Sequence, residues 1–141
     1  MKTTKTLITA IMLMATVCIA QAQDKVKMYS FTVYLSNGTA SSSCLDIDKA
    51  YVSPIVSHKF DDYRQFDEAS HQTDVLNSKW AKKCQAKFTI KSTYCWGHYA
   101  NSWLWKKSRS KTDEKRDNVI SHLKKQGYKV YDSYLFGFYF D

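Results

Sequence analysis

From Ser110 to Phe140 the apolar residues change period once, at Gly127. Upstream, Val119, Ile120 and Leu123 share one face of a 3.6-residue helix, and Ser110 or Thr112 is placed to cap it. Asp113 and Glu114 then fall in its first turn, where the helix dipole favours anions, and Lys124 and Lys125 fall in its last. Gly127 supplies the left-handed stop. Downstream, Tyr128, Val130, Tyr134, Phe136, Phe138 and Phe140 recur at the strand period. The opposite face of that strand carries Tyr131, Leu135 and Tyr139, so a strand that is central or covered on both sides is expected. A helix followed directly by a strand requires a fold of mixed class.

The rest of the chain supplies the other elements. Tyr29, Phe31, Val33 and Leu35 alternate with Ser30 and Thr32 within a strand over 28–35. Residues 36–43 (SNGTASSS) carry an Asn-Gly turn signal. A second strand spans 51–57 and contains Pro54, the only proline, so the strand is expected to be at an edge, bulged, or broken there. Phe60, Tyr63 and Phe66, then Leu76, Trp80 and Cys84, recur at helical spacing, which predicts one interrupted helix or two short ones over 61–85. Phe88, Ile90 and Tyr94 alternate as a strand over 88–95, and residues 96–109 show no period. The expected fold is α+β: a mixed sheet of about four strands with two or three helices packed on one face, in the order β-β-α-β-α-β.

Residues 1–22 have the pattern of a cleavable export signal. Lys2 and Lys5 precede an apolar run from Leu7 to Ala20, and Ala20-Gln21-Ala22 is a small-x-small cleavage site. That run is short for a membrane span. Removing 22 residues from 141 leaves 119, residues 23–141, enough for one small domain with its own core. The expected location is the periplasm or the cell exterior.

The whole chain carries +8; without Lys2 and Lys5, 19 basic residues face 13 acidic ones, or +6. No acid occurs between Asp74 and Asp113, an interval holding nine lysines and arginines. Such a field favours anionic partners: cell-wall polymers, acidic lipids, nucleic acid or an acidic protein. Cys44, Cys84 and Cys95 remain after the leader, so one disulfide is possible and one thiol is left over.

All four tryptophans lie in the acid-free interval. Trp96, Tyr99, Trp103 and Trp105 crowd together ahead of Lys106, Lys107 and Arg109. These seven residues form the candidate binding surface, because aromatic faces stack on sugar rings or bases while cations hold carboxylates or phosphates. The competing reading places Trp96 and Trp103 inside the core. Cys95-Trp96-Gly97-His98 has a Cys-x-x-His spacing, but no second matching pair completes a zinc site. Asp61, Asp62, Asp67 and Glu68 lie on one local segment, which reads as a solvated face rather than a glycosidase pair. No Gly-x-Ser-x-Gly elbow is present.

The favoured expectation is an exported, non-catalytic binding module for an anionic or glycan ligand of the cell envelope, without a cofactor or metal. The alternatives are a small secreted hydrolase such as a nuclease, with His98 as general base, and a protein-binding inhibitor using segment 61–74 or a free sheet edge. Nucleic acid fits the charge but is supported by no motif.

Residues 113–131 (DEKRDNVISHLKKQGYKVY) resemble the second half of the sporulation-related repeat, a peptidoglycan-binding α+β module. The resemblance rests on a charged helix ending in glycine and leading into a strand, and the first half of that repeat has no counterpart here. It implies a cell-envelope ligand.

Overall fold

A computed structural model of the chain describes residues 25–36, 48–60, 66–88, 90, 96–99 and 105–140. Residues 1–22, Asn37 and Gly38, Asp61, Asp62, Tyr63, Tyr94 and Trp103 lie outside the described residues, as do Cys44 and Cys95.

The elements are β1 (Val26–Ser30), β2 (Val33–Ser36), β3 (Lys49–Val52), β4 (Val56–Phe60), α1 (Phe66–Phe88), β5 (Trp96–His98), α2 (Arg109–Lys125), β6 (Lys129–Asp132) and a single turn, α3 (Ser133–Phe136). The class is α+β, as expected. One sheet has the order β5-β2-β3-β6, antiparallel except for the parallel pair β3–β6, and β1 pairs with β4 in a second.

The two sheets are two ends of one bent hairpin. Ser30 faces Val56 and Val33 faces Val52, so three steps on one strand oppose four on the other. The extra residue falls in Ser53-Pro54-Ile55, which is the bulge that a strand proline calls for. Across it the Ser53 amide donates to Thr32 O at 2.9 Å, and the Thr32 amide donates to Ser53 Oγ at 2.8 Å. The side-chain oxygen stands in where the ladder is interrupted. The bulge also shifts side-chain parity, so Tyr51 and, beyond it, Val56, His58 and Phe60 face the same side.

Each long helix covers a face of its own, which is a finer placement than helices packed on one face. Val119, Ile120 and Leu123 of α2 bury against Phe31, Val33, Leu35, Ala50 and Val52. Trp80 and Cys84 of α1 bury against Tyr34 and Tyr51, with Phe138. The first face is aliphatic and the second aromatic. Because both are covered, Ser30 and Thr32 are fully buried, although their alternation with apolar residues reads as a solvent face. Thr32 Oγ1 is satisfied by Asn77 Oδ1 of α1.

Several boundaries differ from the periodicity. α1 is one helix of 23 residues, and Phe88 ends it rather than starting a strand. The repeat Leu76, Trp80, Cys84 simply continues to Phe88, whose ring stacks on Tyr51 at 4.2 Å. α2 starts two or four residues earlier than a cap at Ser110 or Thr112 implies. Ser108 is its N-cap and accepts from the Lys111 amide, while Thr112 is buried, so Asp113 and Glu114 fall beyond the first turn. The final strand stops at Asp132 instead of running to Phe140. The Asp132 side chain caps α3, and Gly137 closes that turn in the left-handed conformation. β6 lies at the sheet edge rather than at its centre, yet both its faces are covered, Val130 packing on the α2-side core and Tyr131 on the α1-side core, while Leu135 beyond it is 80% exposed. Cys84 is a buried free thiol, so neither bridge that would use it is present.

Candidate functional site

β5 and the residues around Trp105 form the edge beside β2 and β1. Trp96 faces Ser36 and His98 faces Tyr34, while Lys106 exchanges two backbone hydrogen bonds with Tyr29 at 2.7 and 2.8 Å. Alternation along this edge separates the candidate residues. Trp96 lies on the α1 side, where its ring stacks on Tyr34 at 5.1 Å and Tyr51 at 5.4 Å. Tyr131 continues the row, 4.8 Å from Tyr51, so each strand of the larger sheet contributes one ring to an aromatic ladder. Tyr99 packs instead against the aliphatic core on the α2 side. Lys107 and Arg109 are exposed near the start of α2. Trp96 and Tyr99 thus serve packing on opposite faces.

Trp105 has a different setting. Its ring meets Phe60 edge-on at 5.2 Å and His58 at 6.3 Å, and its Nε1 donates to Thr73 Oγ1 of α1 at 3.0 Å. Fixed in this way, it forms one wall of an open groove of about 190 Å³ between β4 and α1. Val56, Val75 and Leu76 give the groove an apolar surface, and His58, Gln72 and Lys79 bring polar ends to it. His58 Nε2 lies 3.8 Å from Glu68 Oε1, an ion pair when the imidazole is protonated.

Sequence reasoning found Trp105 but missed His58, Gln72 and Lys79. The signals were present. Val56, His58 and Phe60 alternate beyond the proline, and Gln72, Leu76 and Lys79 are spaced i, i+4, i+7 on one helical stripe. The bulge, which resets the strand's parity, concealed the first, and the pairing of Trp105 with Thr73, 32 residues apart in the chain, has no local signature.

His98, the alternative catalytic base, sits on β5 with its ring 5.3 Å from Tyr34 and its Nδ1 3.5 Å from Thr32 Oγ1. Desolvation lowers its pKa, and a backbone hydrogen bond to Val33 only partly offsets this, so the neutral form is favoured. Among the described residues, no group of three or more histidines, cysteines and acids is gathered as metal ligands would be.

No family model, curated protein or solved structure matches the chain. The likeness of residues 113–131 to half of a sporulation-related repeat is therefore confined to a helix–glycine–strand unit, which many α+β folds contain.

Proposed function

We propose that the chain is exported by its leader and that residues 23–141 form a non-catalytic binding module for a glycan or other anionic ligand of the cell envelope, held in the β4–α1 groove. The observation that carries this reading is the presence of the Trp105 ring and Lys79 on the walls of one groove. An indole face offers stacking to a sugar ring, Gln72 offers an amide, and Lys79 offers a cation to a carboxylate or phosphate. The acid-free interval 75–112 supplies both Lys79 and Trp105.

Co-sedimentation with purified peptidoglycan sacculi tests it. Binding is expected to persist in high salt, to fall about tenfold in Trp105→Ala through loss of stacking, and to weaken mainly at low salt in Lys79→Ala. Thermal melting of both variants separates a lost contact from a lost fold. Absence of binding at either salt, or binding equal in all three proteins, would overturn the reading. One observation favours a hydrolase instead: His58, which lines the groove, has the Glu68 carboxylate 3.8 Å from its imidazole. Release of soluble glycan fragments that disappears in His58→Ala would decide for that reading.

A further inference from the structure

Beyond the groove, the largest exposed apolar side chains of the described residues gather at one place. Leu135 is 80% exposed and Phe136 58%, and Tyr134 and Tyr139 flank them. They stand on and just after α3, off the edge of the sheet beyond β6. The turn is held from beneath. The Ile55 amide donates to the Tyr134 hydroxyl at 3.0 Å, the Arg116 guanidinium lies 4.2 Å over the Tyr134 ring, and Gly137 closes the turn. An apolar tip fixed in this way offers its surface without an ordering cost at contact.

Lysines border the tip. Lys129 Nζ lies 5.4 Å over the Tyr131 ring, which touches Phe136 at 5.5 Å. Lys83 Nζ lies 5.6 Å over Phe138, and the charge of Lys124, near the end of α2, acts on Asp132. Asp132, an acid beside the tip, is paired with Arg116, so its charge is compensated internally; a second acid, Asp48, accepts the Lys129 amide through its carbonyl and lies at the far end of β6 from the tip. Asp141 lies outside the described residues.

We propose that this tip, Tyr134 to Tyr139, docks on an anionic lipid surface, with Leu135 and Phe136 entering the headgroup layer and the lysines meeting lipid phosphates. Aromatic and leucine side chains ringed by lysine match the interfacial region of a bilayer. A second copy matches less well, because a two-fold contact sets the same lysine rims against each other. No helix among the described residues is long and apolar enough to cross a membrane, so the contact is with the surface. The proposal does not depend on the groove.

The test is co-sedimentation of the exported chain with vesicles of equal parts phosphatidylglycerol and phosphatidylcholine, against phosphatidylcholine alone. Binding to the mixed vesicles, reduced by salt and weak on phosphatidylcholine, is expected. Leu135→Asp should weaken it at least about tenfold with an unchanged melting temperature, since Leu135 is mostly exposed. Lys129→Glu should weaken it less, and chiefly at low salt. No binding to mixed vesicles overturns the proposal, as does equal binding by wild type and Leu135→Asp. A dimer in sedimentation equilibrium that Leu135→Asp abolishes, without vesicle binding, would overturn it by assigning the tip to a second copy.

Discussion

Arg116 places a full charge at a site only 2% exposed, and its surroundings account for every end of the guanidinium. Nε donates to Ser53 O in the bulge at 2.9 Å, the two terminal nitrogens clasp Asp132, and one of them reaches Ser133 Oγ at 3.3 Å. One side chain thus joins α2, the hairpin bend and the end of β6. A buried cation is tolerated only with such pairing. Asp132 feels opposing effects. Partial burial disfavours its charge, but hydrogen bonds from Arg116 and the Tyr134 amide, with the charges of Arg116 and Lys124, outweigh that and hold its pKa below the ordinary value. Its contribution is therefore complete above about pH 4, the range of an unfolded aspartate, and is lost as pH falls through the lower folded value. Asp132→Asn should cost about 2–3 kcal/mol near neutrality, below the about 3–5 kcal/mol of a fully buried pair because the Asp132 side chain is partly exposed. Urea unfolding across the acid range should show the two proteins converging at low pH. A constant gap down to the lowest pH would show that the carboxylate charge is not what stabilises.

The clearest element in the sequence, α2, is also the best formed, because its signals are local. Ser108 caps it, and beyond its end the Gly127 amide donates to Lys124 O and the Tyr128 amide to Leu123 O, the paired bonds of a Schellman stop. Gly127 has φ +91°, and a Cβ there would meet nothing within 4 Å. Gly127→Ala should therefore destabilise through backbone strain alone, by about 1 kcal/mol, with Gly127→Asn costing less. Equal denaturation midpoints for Gly127→Ala and wild type would contradict the stop. The sequence leaves the first turn open because Ser108, Ser110 and Thr112 are all capping residues, and choosing among them depends on the buried place of Thr112. β6 was overextended for a related reason. The alternation through Phe140 is real, but Asp132 and Gly137 hold the information that ends the strand, and an N-cap aspartate reads as an ordinary polar residue within an aromatic run. The end of α1 is ambiguous in the sequence because Phe88 suits a strand as well as a helix. Only its stack on Tyr51 decides between them.

For the molecule as a whole, the sheet is the divider between an aliphatic half under α2 and an aromatic half under α1. Cys84 lies deep in the aromatic half, where burial pushes its thiol pKa up and out of the reactive range. Peptide-resolved alkylation should therefore find Cys84 modified at the rate of global unfolding, and fast labelling under native conditions would mean that α1 leaves the sheet on its own. The mixed class, the order of elements, α2 with its glycine stop, the apolar stripe Leu76–Trp80–Cys84 and the proline bulge were all legible in the residues. Each depends on contacts within a few positions of chain, where period and turn chemistry act directly. Other features lay outside that reach. The two-sided cover turns Ser30 and Thr32 inward. The bulge resets parity so that His58 meets α1, and Trp96 joins a ladder while Trp105, nine residues on, walls a groove. Leu135, equally apolar, is left at the surface. These outcomes depend on which distant segment lies opposite. Sequence spacing specifies the face a side chain takes, and only the packed structure specifies what that face meets.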